Sequence, residues 1–399
     1  MANNNENKIL NVPNLRFPEF SGEWSSQPLT DFMNFKNGLN PDAKRFGRGT
    51  KFISVMDILN NQYICYDNIR ASVELQDGDI ETYGVDYGDI LFQRSSETLE
   101  DVGRANVYLD SKPAIFGGFV IRGKSKGNYN PLFFRYLLAS PTARKRIIVK
   151  GAGAQHFNIG QDGLSKVSLD IPRLSEQEKI GKLLQCVDAR IATQNKIIED
   201  LKKLKSAIIH RCYSSQTNMI PLSELLKQCS DRNRSGSDLQ VLSVSNKYGF
   251  IAQSNQFEDR EVASDDTSNY KVVKKGMFAY NPARINVGSI ALYEMDGNGI
   301  VSPMYVCFTT KSELLPSYLK YYFASQTFKH EMYKRLEGSV RLCLTFEELC
   351  NIEIHLPNIE QQKNISKYIS KIENNLSLVD SIFSKYQQQR RYLLSQMFI

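Results

Sequence analysis

The sequence predicts an α+β protein: two mixed α/β modules in tandem, separated and held apart by two long α-helices that form an antiparallel coiled coil. Three observations carry this prediction. The chain repeats itself at an offset of 185 positions. Two long stretches, one closing each repeat, carry an apolar stripe with heptad spacing. The rest alternates short β-rich runs with Gly, Asp and Asn punctuation.

The repeat is read residue by residue. Tyr136, Ala139 and Ser140 recur as Tyr321, Ala324 and Ser325. Gly153, Leu164, Ile171 and Pro172 are answered by Gly338, Leu349, Leu356 and Pro357, and the match ends with Tyr213 against Phe398. Two similar modules in one chain predict one activity performed at two sites.

Residues 1–22 are polar and contain proline, and read as a tether. The first module is expected over 23–172. Its runs KFISV (51–55), GDILF (88–92) and FGGFVI (116–121) read as strands, and 130–147 reads as one helical segment. The second module is expected over 215–357. Strands are expected in 239–246, 274–282, 287–294 and 304–309, and the helical counterpart at 315–336.

The segments 173–214 and 358–399 are the long helices. In the first, Ile180, Leu184, Val187, Ile191, Gln194, Ile198, Leu201, Lys205, Ile208 and Cys212 step by fours and threes. The same offset gives Ile365, Ile369, Ile372, Leu376, Val379, Phe383, Tyr386, Arg390, Leu393 and Met397. Such a seam, held over several heptads, is that of a coiled coil. Ser175 with Glu178, and Asn358 with Gln361, read as capping boxes. Each helix would be about 55–60 Å long at 1.5 Å per residue. The two stripes are expected to bury each other. Lys205 and Arg390 are expected to snorkel from the seam or to lie near its end.

Composition narrows the function classes. At 41% hydrophobic and 23% charged residues the chain is ordinary globular protein, and a net charge of +7 permits a polyanionic partner without requiring one. The seven cysteines include no C-x-x-C pair, so neither a zinc site nor a disulfide framework is expected. MANNNENKIL is not a signal peptide, and no apolar run approaches the roughly 20 residues of a membrane helix, so a cytoplasmic protein without a membrane partner is expected.

No catalytic constellation emerges. There is no phosphate loop and no H-E-x-x-H, Gly151-Ala152-Gly153 is no dinucleotide fingerprint, and Asn281-Pro282-Ala283-Arg284 lacks the second proline and the aromatic of a base-methylation motif. His156, His210, His330 and His355 are scattered. No catalytic residue and no metal ligand is therefore assigned.

Binding is better supported. Residues 111–161 hold nine Lys or Arg and no acid, whereas 74–101 hold nine acids and one base, Arg94. This segregation suggests one face aimed at a polyanion and another turned away. Arg, Asn and Gln in glycine-containing loops suit the edges of bases in the major groove. The candidate DNA-binding residues of the first module are Arg45, Arg48, Lys51, Gln93, Arg94, Arg122, Lys124, Lys126, Arg144, Lys145, Arg146, Lys150 and Gln155. In the second they are Arg232, Arg234, Lys247, Asn281, Arg284, Asn286 and Arg341. The loops Gly153–His156 and Gly338–Arg341 occupy equivalent places.

Several phrases, taken together, resemble the specificity subunit of type I restriction–modification systems over essentially the whole chain. They are VPNLRFPEFSGEW (12–24), GDILF (88–92), IPRLSEQEKI (171–180), YKVVKKGMFAYNPARINVGSIALY (270–293) and LPNIEQQKNI (356–365). The resemblance implies two target-recognition domains, each reading half of a bipartite sequence in double-stranded DNA, with the helix pair setting the spacer. It implies two methylation subunits docked on the helices and the N-terminal segment, with or without two translocating nuclease subunits. S-adenosylmethionine, ATP and Mg2+ would be used by those partners, and the chain itself would be non-catalytic. Two other readings remain at this stage: a coiled-coil adaptor without sequence-specific DNA binding, and a stand-alone DNA methyltransferase or nuclease.

Overall fold

The computed structural model describes residues 10–153, 155–215, 217–234, 236–237, 239–253, 267–338 and 342–399. The chain divides into two compact units, Met1–Asn195 with Ser381–Ile399, and Lys196–Asp380. The long helices are Leu174–Tyr213 and Ile359–Gln396, and each contributes one part to each unit. Among the described residues, no helix is long and apolar enough to cross a membrane.

In the first unit, strands β1 (Ser25–Pro28) and β12 (Ser168–Ile171) pair antiparallel and close the module at its base. One four-stranded sheet has the order β2 (Met33–Asn37), β10 (Val120–Ser125), β6 (Ile90–Gln93), β8 (Ala105–Val107). A second has the order β4 (Ser72–Val73), β3 (Phe46–Ile53), β9 (Ala114–Phe116), β5 (Gly84–Val85), with β3 and β9 parallel. Two-residue strands β7 (Ser95–Ser96) and β11 (Phe157–Asn158) form a separate ladder.

The run 116–121 is thus two strands. Gly117 and Gly118 break it, and the Gly117 N–H turns to the carbonyl of Ile53. The segment 130–147 is likewise two helices, α1 (Pro131–Ala139) and α2 (Pro141–Ile148). Pro141 cannot continue α1, and the Ser140 side chain accepts from the Ala143 N–H to start α2.

The second unit repeats this plan. Its base pair is β13 (Met219–Pro221) with β22 (Glu353–His355). One sheet runs β14 (Leu226–Cys229), β21 (Val306–Thr310), β18 (Phe278–Tyr280), β19 (Ile290–Leu292). The other runs β16 (Gly249–Ala252), β15 (Val241–Ser245), β20 (Gly299–Val301), β17 (Lys271–Val273), with β15 and β20 parallel. Helices α3 (Pro316–Phe323) and α4 (Gln326–Lys334) are split as in the first module, and Ser325 caps Phe328 as Ser140 caps Ala143. Both modules therefore have the same strand order.

The apolar stripes of the long helices do not bury only each other. Ile180, Leu184 and Val187 join Trp24, Phe133, Leu393, Met397 and Phe398 in the core of the first unit. Ile209, Tyr213 and Ile369 join Tyr318 and Tyr322 in the second. Each fully buried aromatic or aliphatic side chain contributes about 1.5–3 kcal/mol. The repeat governs the ring contacts too. Phe398 lies 5.6 Å from Phe133, and Tyr213 lies 4.7 Å from Tyr318. Of the remaining stripe residues, Ile198 and Ile372 are buried, while Ile191, Leu201, Ile208, Ile365, Leu376, Val379, Phe383 and Tyr386 are half-buried.

Three expectations are corrected. The N-terminal segment is pinned where it is described. Arg16 makes a bidentate pair with buried Glu176, with both N–O distances 2.8 Å, and the Leu15 N–H bonds the carbonyl of Gln396. Ser175 lies inside the first long helix, which begins at Leu174, so it caps nothing. The box at the second helix is present: Asn358 and Gln361 exchange backbone-to-side-chain bonds of 3.2 and 2.9 Å. Finally, Lys205 and Arg390 do not snorkel. In the first unit Arg390 Nε donates to Asp188 Oδ1 at 2.5 Å, and in the second Lys205 Nζ donates to Glu373 Oε1 at 2.6 Å.

Candidate nucleic-acid interface

The loops that carry candidate residues are assembled by short ladders. In the first unit, β7 pairs with β11, so the loops 92–98 and 151–158 lie side by side. The Ile159 N–H donates to the carbonyl of Arg94 at 2.9 Å, and the Arg94 N–H to that of Phe119, also at 2.9 Å. Ala152 and Asn158 exchange backbone bonds of 2.9 and 2.8 Å, which closes the loop between them. Gly153 sits there at φ +143°, where an added Cβ would fall 2.0 Å from the carbonyl oxygen of His156.

The second unit builds the same feature from equivalent residues. Glu337 and Cys343 exchange bonds of 3.0 and 2.8 Å, and Gly338 has φ +115°. The Leu344 N–H donates to the carbonyl of Pro282 at 3.1 Å, which seats this loop beside 281–288. Gln93 ends β6 and Asn281 follows β18, each an inner strand of its sheet. The N–H of the first bonds Arg104 and that of the second Ser289, two residues 185 apart.

Several candidates are spent inside the fold. Arg122 is 5% exposed, donates to the carbonyl of Gly84 and lies over the ring of Phe116; burial lowers its pKa. Arg144 donates to the carbonyls of Gly103, Glu100 and Val102, and burial pulls its pKa down to about 10. Gln93 is 5% exposed and bonds the Ser95 carbonyl, and Asn281 is buried and caps Ala283. Arg45 pairs with Asp79, and Arg146 pairs with buried Asp170 at 2.7 Å. Lys51 donates to the Ile69 carbonyl at 2.8 Å. These bonds give Arg122, Arg144, Gln93 and Asn281 a part in holding the fold.

Segregation along the sequence is not segregation in space. Sheet pairing places β10 beside β6, and Lys124 comes 3.5 Å from Asp86; Arg48 pairs with Glu74 at 2.7 Å. The basic run 111–161 and the acidic run 74–101 therefore meet at Lys124 and Asp86. Among the candidate residues of the first module, the exposed bases are Arg48, Lys124, Lys126, Lys145 and Lys150, with exposed Gln155 and half-buried Arg94 on the paired loops. Lys126 also reaches the Thr30 carbonyl at 2.7 Å. In the second unit Arg232, Arg234, Lys247 and Arg284 are exposed, Asn286 is half-buried, and Arg232 donates to Asn269 at 2.8 Å. Lys247 lies over the ring of exposed Tyr248. Arg341 falls outside the described residues.

Sequence reasoning missed the apolar component. Phe119 is 69% exposed beside Arg94, and with Phe46 and Met56 it lines a groove of about 410 Å³. The Gly117-Gly118 pair was the available signal that Phe119 sits on a turn. An exposed aromatic next to an arginine offers an apolar contact surface beside a polar one.

Known proteins share the sequence pattern and the fold of this chain. The model of the type I restriction modification DNA specificity domain matches residues 21–203 and 236–382. Two relatives from Methanocaldococcus jannaschii are similar over nearly their whole length. The putative type I restriction enzyme MjaX specificity subunit is 22% identical, with 93% of this chain and 92% of the relative covered. The type I restriction enzyme MjaVIII specificity subunit is 24% identical, with 94% and 91% covered. The fold resembles that of the S subunit of a type I restriction-modification system from M. genitalium, with a TM-score of 0.60 and 15% identity, covering 97% of this chain and 99% of that one. The family match spans most of the sequence: the chain belongs to the type I restriction–modification specificity subunits.

Proposed function

We propose that each module reads one half of a bipartite sequence in double-stranded DNA and that the two long helices set the spacer between the halves. The observation that carries this reading is the duplicated module. Two domains with one strand order place equivalently closed loops, at Ala152–Asn158 and Glu337–Cys343, beside the ends of equivalent inner strands. Half-sites on a duplex must be met in register, which two rigid copies of one reader can do.

In this reading Lys145, Lys150, Lys124 and Lys126 supply phosphate contacts and salt dependence. Arg94, Gln155 and Phe119 in the first module, and Arg284, Asn286 and Arg341 in the second, supply base choice. Two methylation subunits dock on the helices and the N-terminal segment, with or without two translocating nuclease subunits. The chain carries no reaction step of its own. S-adenosylmethionine, ATP and Mg2+ belong to the partners, and the complex acts in the cytoplasm.

The test is selection from a randomised duplex library by the purified complex of this chain with its methylation subunits. Enrichment of two short fixed sequences at one spacing supports the reading. Recovery of sequences no different from the input contradicts it.

A further inference from the structure

Among the described residues, each unit has a carboxylate of one long helix paired with a cation of the other, and the two sites are built alike. In the first unit Asp188 accepts from Arg390 Nε at 2.5 Å, from Tyr136 Oη at 2.9 Å and from Arg135 Nη1 at 3.2 Å. In the second Glu373 accepts from Lys205 Nζ at 2.6 Å and from Tyr321 Oη at 2.9 Å. Asp188 and Glu373, Lys205 and Arg390, and Tyr136 and Tyr321 are each 185 positions apart. In each site a carboxylate on one long helix is held by a cation on the other and by a tyrosine of the adjoining module.

We infer that these two carboxylate sites lock the register of the antiparallel helix pair and thereby fix which spacer length is read. The inference rests on the functional reading given above. A seam of Ile, Leu and Val repeats every seven residues, so a slip of one heptad would again bury apolar against apolar. The polar sites do not tolerate that slip. Moving the partner by seven residues one way sets Asp188 against Phe383 and Glu373 against Ile198; the other way sets them against Met397 and Cys212. Asp188 would then keep only Arg135 of its two cations and Glu373 would lose Lys205, while Arg390 and Lys205 would lose their carboxylates; partly buried charges left without a partner are strongly disfavoured. A single polar position in a coiled-coil seam is known to select register at some cost in stability. Here the tyrosines add a second tie, because the group that meets the opposite helix also anchors the module.

The test replaces all four seam charges with leucine (Asp188→Leu, Arg390→Leu, Lys205→Leu and Glu373→Leu) and measures methylation by the complex on duplexes with the wild-type half-sites and graded spacers. A one-heptad slip is about 10.5 Å, roughly three base pairs of rise. The wild type should favour one spacer by about tenfold or more, the scale of one mismatched position. The leucine variant should lose most of that preference and gain activity at spacers about three base pairs longer or shorter, with unchanged half-sites. Unaltered spacer preference in the folded variant overturns the inference and leaves the functional reading intact. Absence of any bipartite preference in the wild type overturns the functional reading itself. If the leucine variant does not fold, the second unit decides. Lys205→Glu alone should relax the spacer and Lys205→Glu with Glu373→Lys should restore it; equal spacer selectivity in both overturns the inference.

Discussion

The side chain of Gln177 accepts a hydrogen bond from the backbone N–H of Asn130 at 3.0 Å and donates one to the carbonyl of Pro172 at the same distance. Gln362 does the same 185 residues later, with the Leu315 N–H at 2.8 Å and the Pro357 carbonyl at 2.9 Å. Both glutamines are buried in the first turn of a long helix. Each joins the end of a closing strand to the start of a module helix.

Replacing Gln177 with alanine leaves the Asn130 N–H and the Pro172 carbonyl without this partner, and replacing Gln362 leaves the Leu315 N–H and the carbonyls of Pro357 and Glu313 without it. A loss of about 1–3 kcal/mol per group is expected. Differential scanning calorimetry of the assembled protein should show a clear fall in Tm for either variant. An unchanged Tm would mean that water replaces the amide.

The buried and exposed bases should separate in two assays. Arg122→Ala is expected to lower stability by about 1–3 kcal/mol, because the Gly84 carbonyl loses its donor. Lys145→Ala and Lys150→Ala are expected to leave Tm unchanged and to reduce the slope of log affinity against log salt by about one each. Titrations of DNA binding at several salt concentrations check this.

Much of the architecture was legible in the sequence, because a repeat and a heptad stripe are periodic signals that survive without tertiary context. The long helices run over Leu174–Tyr213 and Ile359–Gln396. Breaks inside segments read as single elements were not legible as such: Gly117-Gly118 divides the run 116–121 into two strands, and Ser140-Pro141 divides 130–147 into two helices. The fate of the basic side chains was least legible. Whether an arginine meets solvent or a carbonyl, as Arg144 does, depends on strands far away in the chain. Lys205 and Arg390 looked misplaced in a dry seam because their partners, Glu373 and Asp188, lie on the other helix.

Thiol chemistry offers an independent check of the packing. Cys186 is exposed, whereas Cys307 is buried in the sheet of the second unit, and burial pushes its thiol up to about 12. Below that pKa the reactive thiolate is scarce. Alkylation at pH 8 followed by mass spectrometry should label Cys186 first and Cys307 only after denaturation. Early labelling of Cys307 would contradict its placement on β21.

Lengthening the helices in phase should act on the spacer alone. Seven residues inserted after Asn195 and after Asp380, at the limits of the two units, preserve the heptad and add about 10.5 Å. The preferred spacer should grow by roughly three base pairs. A changed half-site with an unchanged spacer would contradict the role given to the helices.

The most direct measurement is methylome sequencing of cells that express the neighbouring methylation subunit with and without this chain. One bipartite methylated motif, two fixed half-sites at a single spacing, should appear only when the chain is present. Methylation that is absent in both cases despite an assembled complex, or the same with and without the chain, would contradict the assignment of sequence choice to this protein.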